Sequence, residues 1–412
     1  ASLVQAGIRP GVGGAVKINE LIARRRGKPY YFDHPDFEKI LGHTYGIVIF
    51  QEQVDQLLAT FCGYPSGVAE DIREKINESK HIDYGEVMKD ELIGRMLDRG
   101  HSPEVAQQAF ELIAAFKGYG FAQGHALAFA EISIRSIWCQ QNFPSQYFSA
   151  LLDAQPAGYY GPSTIVNEAR YRGVKILPVD VNASKERYEP EDVKSEQEPE
   201  LVVPDGGLRL SFNTVHQLSD RTREAILDLR GEGYKSFFDF VKRVRPERDE
   251  LDSLILCGAF DSLEQNRRAL LWSIPDAMSF MNEDGGDLGV EMPEPKIDTS
   301  IEDFSEAEKV LSERRILNLD VKKHIMAYER ERVAKKGGIT ASEARELKDG
   351  ESALVVGNPI RLRFPPTASG ARVVFFDLED ETGLLNVTCF NQTYQKYGHA
   401  FVCYPYVTLL GR

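Results

Sequence analysis

Apolar residues recur at helical spacing through most of the first 150 positions of the chain. Val16, Ile18, Leu21 and Ile22 mark an amphipathic helix over 14–28, with a basic C-terminal end that suits the helix dipole. A short stretch at 45–49 leads into a helix over about 51–61. Further helices are predicted over 66–79, 83–99, 103–117 and 126–153, the last with Ala130, Ile134, Ile137 and Trp138 on one face. The helical block ends at the Gly/Pro/Tyr-rich run 156–162.

Beyond it the pattern changes. A helix at about 163–172 precedes an apolar extended piece at 174–179, and the acidic, Pro-containing stretch 186–206 reads as a loop or linker. Residues 207–275 read as a short strand followed by several short helices. Ser236-Phe237-Phe238-Asp239 has capping-box spacing, and Gly258 is placed to end a helix. Residues 282–308 are acidic and punctuated by Gly and Pro, as flexible segments are. A helical stretch over 304–335 is followed by strands at 352–356, 372–378, 384–390 and 406–410, with a helix near 391–399. No internal repeat or coiled-coil heptad is visible.

Composition narrows the class. A chain of 412 residues has material for roughly two to four domains. Apolar residues make up 42 % and charged residues 27 %, as in ordinary globular proteins. No run reaches the ~18 apolar residues that would span a membrane. The first residues lack a signal peptide's basic and apolar regions, and the absence of an initiator Met points to a fragment or processed product. Cys62, Cys139, Cys257, Cys389 and Cys403 are scattered and form no metal-binding spacing, which fits buried free thiols and a reducing cytoplasm.

The net charge of −14 argues against a small basic nucleic-acid binder. Salt screens charges beyond ~10 Å, however, so local basic strips keep their effect. One such strip is Arg9, Lys17, Arg24, Arg25, Arg26 and Lys28, with Glu20 the only acid among them. The Gly-rich lead-in at 11–17 is no P-loop; it is either a plain turn or a set of helix-start amides able to hold a phosphate. Tyr119-Gly120-Phe121-Ala122-Gln123-Gly124-His125 joins two helices. It is either a tight connection or a loop whose glycines, aromatics and His meet a nucleotide. The carboxylate pairs Glu379/Asp380 and Asp284/Asp287 fall in predicted turns, where solvated side chains are expected rather than metal ligands.

Several blocks occur in the order found in one family. They are Ile8-Arg9-Pro10-Gly11, Ile22-Ala23-Arg24-Arg25-Arg26-Gly27, and Thr44-Tyr45-Gly46-Ile47-Val48-Ile49-Phe50-Gln51-Glu52-Gln53-Val54. Gly63-Tyr64 with Ala69-Glu70-Asp71-Ile72-Arg73 follows, then Gly118-Tyr119-Gly120-Phe121 with His125-Ala126 and Phe129-Ala130. Leu177-Pro178-Val179-Asp180-Val181-Asn182, Cys257-Gly258-Ala259-Phe260-Asp261 and Asp377-Leu378-Glu379-Asp380-Glu381-Thr382-Gly383 complete the series. Across nearly its whole length the chain resembles the bacterial C-family DNA polymerases, the polymerase III alpha subunits, in their C-terminal portion. Ala154-Gln155-Pro156 with Gly158-Tyr159-Tyr160 and Ile165-Val166 is more similar to the error-prone, damage-tolerant branch.

The resemblance implies a multidomain α+β fold. It assigns a helical fingers domain to 1–162, a connecting αβ segment and linker to 163–206, and a helix-hairpin-helix DNA-binding region to 207–275. An acidic linker and helix at 276–345 then lead to an OB-fold β-barrel at 346–412, incomplete because a fifth strand is missing. It places Arg9, Arg73, Lys75, Tyr119, Gly120, Gln123 and His125 at the incoming nucleotide. On DNA it places Arg24, Arg25, Arg26, Lys80, Arg221, Arg223, Arg361 and Arg363. The implied activity is that of a DNA-directed DNA polymerase, a nucleotidyltransferase acting on primer–template and deoxynucleoside triphosphates in replication or repair. Its Mg²⁺ would be held by palm carboxylates outside this chain, so no catalytic or metal-binding residue is assigned and the chain alone is expected to be inactive.

Four departures from the family pattern bear on activity. Glu74 stands where a second Arg is usual, and Ala122-Gln123-Gly124 replaces Asn-Lys-Ser. His216-Gln217-Leu218-Ser219 replaces the first hairpin's Gly-x-Gly. Asp287-Leu288-Gly289-Val290 lacks the Gln and aromatic anchor of a clamp-binding motif, which argues against sliding-clamp binding and leaves other replication or repair proteins as partners. These departures keep open a non-catalytic relative that grips DNA or protein, and an unrelated helical scaffold is the third reading.

Overall fold

Prolines and polar caps set where many of the helices start. Pro35 and Pro103 open two of them, behind His34 and Ser102, whose side chains accept the N–H of Asp36 and Val105. A computed structural model describes the chain except for residues 8–13, 79–83, 117–120, 159, 196–201, 283–292 and 366–369, and the side chains of residues 5, 14–17, 78 and 402. It divides into two compact units, Ala1–Cys139 and Gln140–Arg412.

The first unit is helical: α1 Ser2–Gly7, α2 Gly14–Arg25, α3 Pro35–Leu41, α4 Gln51–Leu57, α5 Ser66–Glu78, α6 Tyr84–Val87, α7 Lys89–Asp98, α8 Pro103–Ala114 and α9 Gln123–Asn142. Phe37, Leu57, Phe61, Met96 and Ile113 anchor its core. Helix α4 runs on through a π turn, Leu58–Cys62, that closes at Gly63. Gln53, 1 % exposed, accepts the N–H of Ile49 and Phe50 and donates to the Ile40 carbonyl and the Thr44 hydroxyl. It fixes the entry to α4 without an unpaired polar atom.

Two expected helices are each broken in two. The 83–99 helix is interrupted at Met88. The 126–153 helix starts earlier, at Gln123, and breaks at Phe143, because Pro144 disfavours helical backbone in the residue before it. On α9, Ala130 is buried, but Leu127, Phe129, Ile132, Ile134, Ile137 and Trp138 are 45–59 % exposed, so the predicted apolar face is largely uncovered.

The second unit takes in the last residues of α9 and then α10 Pro144–Asp153 and α11 Pro162–Tyr171, which pack on a three-stranded sheet. Its strands are β1 Lys175–Leu177, β2 Glu189–Lys194 and β3 Val202–Arg209, in the order β1-β3-β2. The stretch 186–206, expected to be a loop or linker, therefore supplies two strands. Its charges and Pro190 suit β2, which pairs with β3 alone, because such residues protect an edge. Short helices follow: α12 Asp220–Asp228, α13 Phe237–Val244, α14 Arg248–Leu256, α15 Arg267–Trp272 and α16 Ile274–Asn282. The acidic stretch expected to be flexible lies outside the described residues over 283–292. The expected helix at 304–335 is two helices, α17 Glu306–Leu317 and α18 Ile325–Ala334.

After α19 Ala341–Arg345 comes a second sheet of β4 Ala353–Arg363, β5 Val374–Asp380, β6 Gly383–Cys389 and β7 Val407–Gly411, with α20 Asn391–Tyr397 and α21 Ala400–Cys403 before β7. All pairs are antiparallel, in the order β6-β5-β4-β7. This sheet is open, not the closed barrel that an OB-fold implies. Strand β4 bends where its register shifts between Ile360 and Arg363, and Arg361 there has φ 55°. Glu379 and Asp380 also depart from expectation: both are buried, at 3 % and 0 % exposure. Asp380 accepts the Ala341 and Thr382 amides and pairs with Arg330, so partners on three elements draw it inside.

The Cys257–Asp261 block of the sequence surrounds a buried arginine. Gly258 ends α14 with φ 83°, and a Cβ there would lie 2.2 Å from Arg267 Nη2. Arg267, 1 % exposed, donates to both Asp261 oxygens at 2.8 and 2.7 Å and to Glu313 of α17 at 2.7 Å. No disulfide forms; burial pushes the Cys62 and Cys257 thiols up to about 12, which suits packing rather than nucleophilic chemistry. No described helix is long and apolar enough to cross a membrane. Arg267→Ala would leave two acids without their cation and is expected to destabilise the chain by about 3–5 kcal/mol in urea unfolding. Adding Glu313→Gln is expected to restore part of that loss.

Candidate nucleic-acid interface

Two local constructions carry the residues singled out in the sequence. The first is the junction of α4 and α9. Phe50 and Phe121 form a parallel bridge, and the Gln51 N–H donates to the Phe121 carbonyl at 3.1 Å. Glu52 reaches the start of α9, where both its oxygens accept the Gln123 N–H at 2.8 and 2.9 Å. A helix-start amide that could bind phosphate is thus held by the protein's own carboxylate. His125 is exposed between Phe121 and Phe129, with ring centroids 5.3 and 4.5 Å away.

Arg73 lies on α5, 5 % exposed, and donates to Asp55 of α4 at 2.9 Å, with Glu70 at 3.5 Å. Burial raises the Asp55 pKa even though Arg73 opposes it. Lys75 is exposed on the same helix. Arg9, Tyr119, Gly120 and Lys80 lie outside the described residues. Of the nucleotide set, Gln123 and His125 therefore share one helix start, while Arg73 is engaged by acids. In the basic strip, Glu20 takes up Arg24 at 2.8 Å and Lys28 at 2.7 Å. Arg24 also donates to the Tyr45 carbonyl, while Arg25 and Arg26 are exposed.

The second construction is a pair of helical turns in the second unit. One leads through Gln217 into α12, and the other joins α13 to α14 through Arg245. Both residues adopt left-handed backbone, φ 67° and 54°, where glycine is the usual choice. Ser236 caps α13 by accepting the Asp239 N–H, while Asp239 accepts the Lys235 N–H, one residue earlier than in a regular capping box.

Glu250 connects the two turns. Its carboxylate accepts the Ser219 amide and hydroxyl at 3.0 and 2.5 Å, the Thr222 hydroxyl at 2.7 Å, and the Glu247 amide at 2.9 Å. The helix starts of α12 and α14 thus share one buried acid. Burial pushes the Glu250 pKa upward, but these hydrogen bonds outweigh it and hold the group below the ordinary carboxylate range. Around the turns, Arg221 is exposed and lies 3.8 Å from Glu247, while Arg223 is held by Asn213 and Asp220.

On the second sheet, Arg363 is exposed and stands opposite Phe375, whereas Arg361 pairs with Asp377 at 3.4 Å. Among the described residues no three His, Cys, Asp or Glu side chains converge as a metal site. Glu52, Asp55 and Glu250 were not singled out in the sequence. Glu250 had a local signal, its three-residue spacing from Glu247; Glu52 had none, being 71 positions from the amide it holds.

Comparison with known proteins finds counterparts for parts of both units. Residues 2–100 match the bacterial DNA polymerase III alpha subunit finger domain, and residues 173–270 match the helix-hairpin-helix motif. The chain belongs to the bacterial DNA polymerase III alpha family. It is 35 % identical to the error-prone DNA polymerase of Symbiobacterium thermophilum over 97 % of this chain and 40 % of that protein. The error-prone DNA polymerases of Sinorhizobium medicae and Burkholderia pseudomallei are 30 % and 32 % identical, over 95 % and 92 % of this chain. They are matched over 36 % and 35 % of their own lengths, so the chain spans well under half of these curated relatives.

Glu250→Gln is expected to destabilise the chain by about 1.5–3 kcal/mol at neutral pH. Because the folded-state pKa of Glu250 is lowered, its stabilisation is full above the unfolded value of about 4.3 and is lost as pH falls through the folded value. The difference between native chain and variant in chemical denaturation should therefore shrink below about pH 4. Gln217→Gly relieves left-handed strain of about 1–2 kcal/mol and loosens the unfolded chain by less. Its melting temperature is expected to stay level or rise.

Proposed function

We propose that this chain is the DNA- and nucleotide-handling portion of an error-prone, polymerase III alpha-type enzyme that carries out template-directed DNA synthesis in the bacterial cytoplasm. The observation that carries this is the pair of turns braced by Glu250 within the helix-hairpin-helix match, in a chain that also matches the finger domain over 2–100. In this proposal the turns hold duplex DNA by its backbone and Arg221 supplies an exposed cation there. Arg25 and Arg26 offer two more on α2. His125 and Gln123 face the nucleotide, together with Arg9, Tyr119 and Gly120. The Mg²⁺ such an enzyme requires would be held by palm carboxylates outside this chain, as the resemblance implies.

The second sheet is read as an incomplete OB-fold. Strand β4 pairs with β7 through 353–357 and with β5 through 358–363, the kind of shared, bent strand that a small barrel uses. Exposed Phe364, Phe375, Phe390, Tyr397 and Tyr404 offer stacking faces for single-stranded DNA, with Arg363 beside Phe375. The uncovered apolar side chains of α9 suit a protein partner better than DNA, because its Arg135 is already paired with Glu131. A second reading, a DNA-binding relative without nucleotide handling, is favoured by one contact: Arg73 is occupied by Asp55.

Binding of primed duplex DNA by the full chain, followed by fluorescence anisotropy across a salt series, tests the proposal. The logarithm of the affinity should fall linearly with the logarithm of salt, by about 0.9 per phosphate contact. Arg221→Ala should weaken binding about three- to tenfold and flatten that slope. Affinity that does not change with salt would refute backbone gripping.

A further inference from the structure

The second sheet carries a recess of about 420 Å³ between the approach to β5 and helix α20, within the roughly 300–1,000 Å³ of small-ligand sites. Its polar lining comes from Arg372, Asn391, Gln395 and His399, with Tyr394 as an aromatic wall, and none of its described lining residues is an acid. The surrounding sequence extends that acid-free character in a chain of net charge −14. From Ile360 to Phe376, and again from Gly383 to Arg412, there is no Asp or Glu. The acids between those stretches point elsewhere. Glu379 and Asp380 are buried, Asp377 is held by Asn386 and Arg361, and Glu381 pairs with Arg330.

The recess is also braced. The Arg372 backbone N–H donates to Asn391 Oδ1 at 3.1 Å, which joins the two walls and leaves the Asn391 amide nitrogen as the free donor. Tyr394 packs edge-on against Phe364, with centroids 5.8 Å apart. Gly398 lies so close to Tyr394 that a Cβ would come within 2.5 Å of the Tyr394 carbonyl oxygen, so the turn after α20 seals tightly on its ring. Arg372 and His399 are exposed lining residues. A planar guanidinium, an imidazole and two side-chain amides around one hollow form a donor-rich set, and such sets recognise phosphate oxygens.

We infer that this recess binds a phosphate group, with Arg372 and His399 as its principal ligands and Asn391 and Gln395 completing the donor set. The inference rests on the nucleic-acid reading of the second sheet only for the source of the phosphate, a single DNA strand or a free nucleotide. It is tested on the full chain with three probes: a fluorescent oligothymidylate, thymidine 5′-monophosphate and inorganic phosphate, each titrated against the native chain, Arg372→Ala, His399→Ala and Arg363→Ala.

Arg372→Ala and His399→Ala should each weaken at least one probe by about tenfold with the melting temperature unchanged. Loss of the two small probes identifies a free nucleotide as the source, and loss of the oligomer alone identifies the strand backbone. If Arg372→Ala and His399→Ala leave all three probes unchanged, the recess is not a phosphate site. Should Arg363→Ala alone weaken the oligomer, the sheet still binds DNA and the recess inference fails. Should the oligomer not bind at all while Arg372→Ala abolishes phosphate binding, the recess stands and the nucleic-acid reading of the sheet fails.

Discussion

One buried carboxylate, Glu250, sets the geometry on which the proposed DNA grip depends. Each of the two turns leads into a helix start, whose first amides have no partner within the helix. Glu250 ties both, through Ser219 and Thr222 on one side and Glu247 on the other. An acid buried with so many donors is stable only while it stays charged, so the hydrogen bonds that lower its pKa are the same ones that space the turns. This arrangement accounts for the tolerance of Gln217 and Arg245 at left-handed positions. Turns pinned from below do not need glycine at the tip to hold their shape, although they lose the close backbone approach that glycine permits.

Only parts of the fold are legible in the sequence. Helices with their own punctuation are: 66–79 and 103–117 match α5 and α8 to within a few residues, because caps and prolines are local. The helix expected over 126–153 was misread because apolar spacing continues straight through Phe143-Pro144, and only the backbone restriction before proline breaks it. Strand β2 was misread for the opposite reason. Its Glu-Pro-Glu-Asp-Val-Lys run has the composition of a linker, and pairing with β3 overrides that propensity.

The candidate site was legible mainly as motif, and less as chemistry. The blocks around Tyr45–Val54 and Phe121–Ala130 identified the family, and they do meet, through Phe50 with Phe121 and Glu52 with Gln123. What spacing could not reveal is that the contact consumes an acid and an amide. Nor could it reveal that Arg73, a strong candidate by position, is held inside by Asp55. Pairings between residues far apart in sequence depend on packing, for which a single sequence carries no local signal. Buried Asp380 makes the same point, since a run of acids before Thr-Gly looks like a solvated turn until the Ala341 amide and Arg330, both on helices, are in place.

An acidic chain can serve basic surfaces because it sorts its charges by depth. Glu52, Glu250, Asp261, Glu313 and Asp380 each bind amides, hydroxyls or guanidinium groups of the chain itself, so several of its carboxylates act as internal braces. Where a guanidinium is the partner, as Arg267 is for Asp261 and Glu313 and Arg330 is for Asp380, it offsets part of the negative charge locally. Cations that are not drawn into these pairs remain at the surface, such as Arg25, Arg26, Arg363 and Arg372. With screening beyond ~10 Å, what a phosphate meets is that local population and not the total of −14. The net charge is therefore a poor guide to what one local patch can bind.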